Sequence, residues 1–388
     1  MPRAHPASSH VATPPLGWRY RLPETCLILI VAGLCLLGLL ALYSIGRAHH
    51  FQSTQFLGKQ VLWMLLAGAA MWVTSRLRLD KLRPLAWLAG LSAAGLLVAV
   101  LLPGVGLEVN GARRWIDLGP MNMQVSDFAK IGGLYYFAHF LAVRQRALGS
   151  FWMGFIVPCA MIGLVGALLL LQPDFGTAAL FAAVGVTMLF FAGCRLYYLL
   201  PAVATAVGLF ALLVSRDPVR LERITSFLNL EASKADGGYQ LWQALLSFAS
   251  GGPTGVGLGN SRQPLSFLPE AHTDFIFAVI GEEMGLVFTS LTVLAFVVFF
   301  LLVAMELRKA PQLFDFLLVS GSLLFITLQA LINVGVVTGL LPTKGMSLPF
   351  VSYGGSNLVA MGMLVGIILN CIHEWNKGFQ AQAREIGQ

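Results

Sequence analysis

The sequence predicts an all-α membrane protein whose helices cross the bilayer many times. Of its 388 residues, 57% are apolar and only 11% are charged, and the mean hydropathy is +0.77. Apolar runs of about 20 residues, long enough to cross roughly 30 Å of hydrocarbon, recur along most of the chain. A β-barrel would instead show short segments of alternating polarity.

Ten such runs are present, and each predicts one transmembrane helix. They cover residues 25–45, 56–75, 82–103, 126–143, 151–171, 175–193, 196–215, 274–304, 313–341 and 355–373. The first run lacks a small-residue cleavage site, so we interpret it as a retained span rather than a signal peptide. No repeat or low-complexity linker divides the chain. One membrane domain over 25–375 is therefore expected, with polar tails at 1–24 and 376–388.

The basic residues predict how these helices are oriented. With the N-terminus in the cytoplasm, the inner segments hold most of the basic residues, among them Arg76, Lys81 and Arg308. Cytoplasmic loops are enriched in lysine and arginine, so both termini are expected inside. The long segment 216–272, between the seventh and eighth helices, is expected outside. The net charge of +7 is then explained by topology and by contact with anionic lipid, not by nucleic-acid binding.

The five cysteines fall in or at the ends of apolar runs, and none has a CxxC or Cys/His metal-binding spacing. We interpret them as small buried hydrophobic side chains. They are Cys26, Cys35, Cys159, Cys194 and Cys371.

Polar motifs that interrupt the apolar pattern all map to the predicted outer side. They are "VNGARRWIDLGP" (109–120), "QVSDFAK" (124–130), "QPDFG" (172–176), "SGGPTGVGLGN" (250–260), "PEAHTDFIFAVIGEEMG" (269–285) and "LPTKGMSLPFVSYGGSN" (341–357). Ionisable groups are costly near hydrocarbon, which makes each of them a functional candidate. We therefore expect the chemistry of this protein on its outer face.

The basic residues of these motifs are candidates for an anion site. Arg113 and Arg114 suit phosphate oxygens, which guanidinium groups bind in a planar, bidentate way; anchoring a loop at the lipid headgroups is the alternative. Asp127 and Lys130 are three apart and share one helix face, so they either line a site or form a structural ion pair. Lys344 stands in a turn-rich stretch and suits either an anion or the membrane interface.

Asp274 is the acidic candidate, because it opens the eighth apolar run after a long polar segment. A carboxylate at a helix N-terminus is also electrostatically favoured, so helix capping is the alternative to a chemical role. Glu282 and Glu283 lie ~12–14 Å further along the helix and are interpreted as mainly structural. The glycine-rich motif lacks a Gly-Lys-Ser/Thr ending, which argues against a nucleotide site and favours a tight backbone fold.

Together, these motifs in this order among ten spans resemble the SEDS family (shape, elongation, division and sporulation). The resemblance covers about 25–375, and "NGARRW" and "LPTKG" are more similar to the cell-division branch than to the elongation branch. One departure stands out. Val125 and Asp127 occupy positions where the family commonly has proline and glutamate, so the carboxylate is retained on a shorter side chain.

The resemblance implies a peptidoglycan glycosyltransferase at the division septum of the cytoplasmic membrane. Such an enzyme polymerises lipid II, an undecaprenyl-pyrophosphate-linked disaccharide pentapeptide, on the outer face of the membrane. The α-linked donor and β-linked product imply an inverting single displacement that releases undecaprenyl pyrophosphate, with Asp274 as the base. The implied substrate-binding residues are Arg113, Arg114, Asp127, Lys130, Gln172, Asp174, His272, Lys344 and Ser352.

The implied partners are a class B penicillin-binding protein transpeptidase, other divisome proteins and membrane lipid. No organic cofactor is expected, and a divalent cation, Mg²⁺ or Mn²⁺, on the pyrophosphate is left open. Two alternatives from other classes are a lipid II flippase and a non-catalytic divisome scaffold. A flippase needs polar groups through the full membrane depth, whereas the inner halves of these helices are almost purely apolar. A scaffold has no use for so many polar motifs on one face.

Overall fold

The computed structural model describes residues 16–48, 53–109, 111–117, 119, 122–261 and 270–386. Its α-helices are α1 (Leu16–Ala48), α2 (Ser53–Arg76), α3 (Leu79–Leu82), α4 (Ala86–Ala99), α5 (Val125–Val143), α6 (Val157–Leu171), α7 (Phe175–Phe191), α8 (Leu196–Ser215), α9 (Pro218–Leu228), α10 (Leu230–Ser233), α11 (Tyr239–Gly251), α12 (Ile276–Glu306), α13 (Leu313–Val337) and α14 (Gly355–Ile386). Its strands are β1 (Gly106–Val109), β2 (Ala112–Asp117) and β3 (Asn122–Gln124). The predicted all-α membrane fold is confirmed.

Eight helical segments of the described chain are long and apolar enough to cross a membrane, and they coincide with eight of the predicted spans. The other two predicted spans correspond to α5 and α7. Helix α7 is apolar but has only 17 residues, and the 19-residue α5 carries the charged pair Asp127 and Lys130. By length and composition the count is therefore eight, and ten spans remains a prediction.

Helices α13 and α14 form the centre of the bundle. In the apolar part of each helix, 67% of the α13 residues and 78% of the α14 residues are buried, against 33% or less in the other candidate spans. Phe314 and Phe325 of α13 are among the largest fully buried side chains. The surrounding helices expose their outer faces, as expected where lipid is the solvent, while most residues of these two helices contact protein.

Glycines of α14 allow α2 to pack against it at close range. A Cβ atom added to Gly362 would lie 2.6 Å from the carbonyl oxygen of Ala67, and one added to Gly366 would lie 2.4 Å from that of Met71. Hydrophobic burial does not drive helix association inside a membrane, so close backbone contact through small residues provides the packing energy.

Helix α12 is interrupted at Gly285, which has φ 74° and ψ −168°. The glycine-rich segment 252–257 provides hydrogen-bond partners for the backbone groups on both sides of this break. The bonds run from Leu286 N–H to Gly252 C=O (3.0 Å), Val287 N–H to Pro253 C=O (3.3 Å), Val256 N–H to Glu282 C=O (2.9 Å) and Gly257 N–H to Glu283 C=O (3.0 Å). Irregular backbone at membrane depth is tolerated only when protein satisfies it in this way. The predicted tight fold of this motif is therefore confirmed.

A three-stranded antiparallel sheet in the order β1-β2-β3 occupies the connection between α4 and α5. The sequence analysis assigned this stretch to a loop, and the sheet is a correction to it. Strand β2 pairs with both neighbours, and a register shift interrupts its pairing with β1 between Leu107 and Glu108. Because β3 ends where α5 begins, the sheet fixes the entry into that helix.

The two ends of the bundle are identified by the hydrogen bonds made there. At one end, Arg83 donates to Gln312 (3.1 Å), just before α13 begins, and Asn370 of α14 donates to the Leu77 carbonyl (2.6 Å). At the other end of α13, roughly 30 Å away at 1.5 Å per residue, Asn333 donates to the backbone of Asp274. We call these the Arg83 end and the Asp274 end.

Candidate active site

Asp274 lies in a turn that is held from two sides, two residues before α12 begins. Asn333 of α13 donates through Nδ2 to the Asp274 carbonyl (2.8 Å) and to the Met346 carbonyl (2.6 Å). The Tyr353 N–H donates to the His272 carbonyl (2.9 Å). The capping position of α12 is Phe275, without a side-chain cap hydrogen bond. The capping interpretation of Asp274 therefore finds no support in this geometry.

The Asp274 carboxyl is half-buried against the segment that follows α13. A Cβ atom added to Gly345 would lie 2.7 Å from Asp274 Oδ2, so the absence of a side chain at that position makes room for the carboxyl. Burial, with a smaller contribution from the negative charge of Glu270, raises the pKa of Asp274 to about 7. The carboxyl is therefore both accessible to a proton and basic enough to accept one near neutral pH.

Lys344, the residue next to Gly345, belongs to a cluster of cations. Its side chain crosses the first turn of α7, where a Cβ atom at Gly176 would lie 2.1 Å from Lys344 Cε. Burial lowers the pKa of Lys344 to about 8; Asp174 raises it, and Arg114, Arg223 and Arg220 lower it further. We call Lys344, Arg114, Arg220 and Arg223 the cation cluster.

The two arginines of the "NGARRW" motif have different environments. Arg114 donates to the carbonyls of Gln172 (2.7 Å) and Pro173 (2.8 Å), which fixes its guanidinium beside the start of α7. Arg113 instead pairs with Glu108 of β1 (3.1 Å), and its side chain is 39% exposed. The structure therefore brings Arg114 to the cation cluster and leaves Arg113 at the rim.

Asp127 and Lys130 form an ion pair in the interior of the bundle. Lys130 Nζ lies 2.9 Å from Asp127 Oδ1, and both residues are 3% exposed. Ser356 and Asn357 of α14 each donate to the Asp127 carboxylate at 3.1 Å. The shorter side chain of aspartate is therefore sufficient to reach its partners. These contacts fit the structural ion pair, and binding of substrate by Asp127 and Lys130 remains a prediction.

The remaining predicted residues also make fold-holding contacts. Gln172 is fully buried and donates to the Leu97 carbonyl (2.9 Å). Asp174 caps α7 by accepting from the Thr177 N–H (3.2 Å). The Ser352 hydroxyl accepts from the Leu348 N–H (2.7 Å). The residues of the predicted set that lie at the Asp274 end include Asp274, His272, Lys344, Arg114, Asp174, Gln172 and Ser352.

With this geometry in place, similarity to known proteins identifies the family. The chain matches the family described as Cell cycle protein, which comprises FtsW, RodA and SpoVE, over residues 24–377. The chain belongs to this family. The resemblance to SEDS proteins is confirmed.

Relatives and solved structures agree with this assignment. A probable peptidoglycan glycosyltransferase FtsW from Coxiella burnetii is 38% identical over 367 residues, which cover 92% of this chain and 98% of that protein. Another from Hahella chejuensis is 41% identical over 334 residues, 85% of this chain and 84% of that protein. A chain in a peptidoglycan synthase complex that coordinates polymerization and crosslinking has a TM-score of 0.73 and 28% identity, covering 90% of this chain and 97% of its own. RodA from Thermus thermophilus has a TM-score of 0.65 and 28% identity, covering 90% and 96%.

Two arginines of this SEDS protein were missed by sequence reasoning. Arg220 and Arg223 lie on α9, within the long segment 216–272 that the sequence analysis treated as one unit. The Arg220 guanidinium carbon lies 3.3 Å from the centre of the Phe175 ring and its Nη2 lies 3.1 Å from Asp217 Oδ2, so it is held over the start of α7. The signal was available, since Asp217-Pro218 is a helix-start pattern and the two arginines share a face of the helix that follows.

No group of three or more His, Cys, Asp or Glu side chains within the described part of this SEDS protein is arranged to hold a metal ion. A divalent cation that enters with a pyrophosphate needs only one or two carboxylates, because phosphate oxygens and water complete its shell. Asp174, whose charge raises the pKa of Lys344, is a carboxylate beside the cation cluster that would fit this use. The cation remains a prediction.

Proposed function

We propose that this chain is a peptidoglycan glycosyltransferase that polymerises lipid II, with Asp274 as the general base. The observation that carries the proposal is that two consecutive residues, Lys344 and Gly345, connect a cation cluster to a half-buried carboxyl whose pKa is about 7. Gly345 faces the carboxyl and Lys344, its neighbour in sequence, belongs to the cluster. Related proteins are named probable peptidoglycan glycosyltransferase FtsW, which supports this assignment.

The proposed reaction needs a base for the acceptor hydroxyl and positive charge for the leaving pyrophosphate at one site. Asp274 takes the proton from the acceptor hydroxyl as its oxygen bonds to the anomeric carbon of the donor. The bond from that carbon to the pyrophosphate breaks on the opposite face, so the configuration inverts. The bonding electrons leave with the pyrophosphate, whose negative charge Lys344, Arg114, Arg220 and Arg223 are positioned to neutralise.

The partner and the location follow from the same assignment. The related chain in the peptidoglycan synthase complex belongs to an assembly that coordinates polymerization with crosslinking. We therefore propose that this protein works beside a class B penicillin-binding protein transpeptidase and other divisome proteins at the septum of the cytoplasmic membrane. Lipid II is then drawn from the surrounding membrane lipid.

The flippase and scaffold alternatives have less support from the contacts. A flippase would use Asp127 and Lys130 on a translocation path, but Lys130 is bound to Asp127, and Asp127 is also bound to Ser356 and Asn357 of α14. A scaffold gives no reason for a carboxyl whose pKa burial raises to about 7, where a base accepts a proton near neutral pH, or for the cations around Lys344.

Polymerisation of labelled lipid II by the purified protein, with and without its transpeptidase partner, tests the proposal. Asp274→Asn retains the shape of the side chain but cannot accept the proton, so we expect the rate to fall by about 10²–10⁴. The variant should still insert, fold and bind its partner. A rate within a few-fold of the wild type would eliminate Asp274 as the base.

A further inference from the structure

Glu283 is a buried carboxylate that the proposed chemistry does not use. It lies on α12 and is 2% exposed. Its Oε1 accepts hydrogen bonds from the Ser44 hydroxyl of α1 and from the Ser261 hydroxyl, the latter at 2.7 Å. The Ser44 hydroxyl also accepts from the Gly259 N–H (2.7 Å). Glu283 therefore connects α1, the end of the glycine-rich motif and α12.

The position of Glu283 near the break in α12 indicates what these contacts do. The break at Gly285 separates a half-helix, Ile276–Met284, from the rest of α12. Asp274 lies just before the N-terminal end of this half-helix, and Glu283 lies near its C-terminal end. The normal i to i−4 hydrogen bonds do not continue across the break, because Leu286 and Val287 donate to Gly252 and Pro253 instead. The half-helix is therefore oriented by its own contacts with neighbouring elements.

We propose that Glu283 is a positioning residue, which connects the half-helix Ile276–Met284 to α1 through Ser44 and thereby holds Asp274 against Gly345. The inference rests on the proposed role of Asp274 as the base. At 1.5 Å per residue, Glu283 is ~13 Å along the chain from Asp274, so it acts on the reaction through the half-helix and not by contact with the reacting atoms.

The hydrogen bonds of Glu283 indicate a latch, by which we mean the connection of the half-helix to α1 through Ser44. They do not indicate a second acid or base. Both hydroxyl donors bind the same oxygen, Oε1, and Oε2 has no hydrogen-bond partner among the described residues. A glutamine side chain has one carbonyl oxygen that accepts the same two bonds. Glu283→Gln should therefore retain the latch, whereas Glu283→Ala removes it and Ser44→Ala removes the connection to α1.

The experiment compares kcat and KM for lipid II in these variants, in complex with the transpeptidase partner. We expect kcat to fall roughly 10- to 100-fold in Glu283→Ala and Ser44→Ala, since a 1 Å misplacement of a reacting group costs about 10²-fold. KM should stay within about twofold, because the cation cluster lies on other elements. Thr292→Val is the matched control: it removes a buried hydroxyl bonded to the Phe288 carbonyl (2.8 Å) beyond the break, and should retain wild-type kcat.

A second readout is independent of activity. In a background with the native cysteines replaced by serine, Thr273→Cys reports the exposure of the turn next to Asp274 through its rate of labelling by a water-soluble maleimide. Labelling should accelerate several-fold with Glu283→Ala or Ser44→Ala, and should not change with Glu283→Gln or Thr292→Val. This labelling measurement tests the connection through Ser44 even if the wild-type protein does not polymerise lipid II. Failure of the wild-type protein to polymerise lipid II would instead overturn the proposed function.

Three results would overturn the proposal. The first is a Glu283→Gln enzyme as impaired as Glu283→Ala, because the charge and not the hydrogen bonding would then matter. The second is wild-type kcat and labelling in Ser44→Ala, the mildest variant, which decides the question if Glu283→Ala does not fold. The third is an equal loss of kcat in Thr292→Val, which would indicate general sensitivity of α12.

Discussion

Asp274 and Lys344 are groups of opposite charge at the same end of the bundle, and burial moves their pKa values towards neutrality, to about 7 and about 8. Asp274 accepts a proton only as the carboxylate, so kcat/KM should rise as the pH rises through about 7. Lys344 neutralises a phosphate only as the ammonium, so kcat/KM should fall as the pH rises through about 8. A profile of lipid II polymerisation from about pH 6 to about pH 9 measures both limbs.

Lys344→Arg is the control for the alkaline limb of this profile. Guanidinium stays protonated throughout the range, so the fall above about pH 8 should disappear while the acid limb stays in place. An unchanged alkaline limb in this variant would assign it to another group.

Substitution of Arg223 tests whether this arginine belongs to the cation cluster. Arg223→Gln should lower kcat/KM roughly 10- to 100-fold, since a charge-assisted hydrogen bond to phosphate contributes about 1.5–3 kcal/mol. Arg113→Gln is the matched control, because Arg113 is paired with Glu108 at the rim of the sheet. Equal effects of the two substitutions would point to general attraction of an anionic substrate and not to a defined site.

At the scale of single elements, the break in α12 depends on Gly285. Its φ of 74° and ψ of −168° belong to a region that essentially only glycine adopts. A Cβ atom there would also lie 2.4 Å from the Gly255 nitrogen and 2.6 Å from the Pro253 oxygen, and backbone cannot move aside cheaply. We expect Gly285→Ala to destabilise the folded protein by about 3 kcal/mol or more, measured by thermal unfolding in detergent.

Gly163→Ala is the comparison for this prediction. Gly163 lies in the regular helix α6, and a Cβ atom there would meet nothing within 4 Å. Alanine is favoured over glycine in a helix interior by roughly 0.5–1 kcal/mol, so this variant should be as stable as the wild type or more so. A Gly285→Ala protein that unfolds at the same temperature would show that α12 can close its break.

The features of an element could be predicted where a short stretch of sequence determines them. The apolar runs located the membrane helices because about 20 consecutive residues contain the whole signal. The break in α12 was not predictable, since the groups that satisfy it come from segment 252–257. Likewise, the partners of Asp127 lie on α14. The spacing of Asp127 and Lys130 alone therefore could not decide between a binding site and a structural ion pair. The cation cluster was found only in part, because the charges of its arginines on α9 act on Lys344 from a distant part of the sequence.

At the scale of the whole molecule, the two ends of the bundle imply a direction across the membrane. Arg76, Arg78, Lys81 and Arg83 are concentrated at the Arg83 end, where Gln312 begins the approach to α13. The positive-inside rule places that end in the cytoplasm. We therefore expect the Asp274 end, together with α9 and α11, to lie outside, which is the side required by the proposed reaction.

Cysteine labelling in intact cells tests this orientation. In a protein whose native cysteines are replaced by serine, a cysteine at Gln240 on α11 should react with a membrane-impermeant maleimide added from outside. A cysteine at Pro311, next to the Arg83 contact with Gln312, should react only after the cells are permeabilised. Retained polymerisation by both proteins is the control for folding. The reverse pattern would place Asp274 in the cytoplasm and would remove the site from the side of the membrane on which the wall is built.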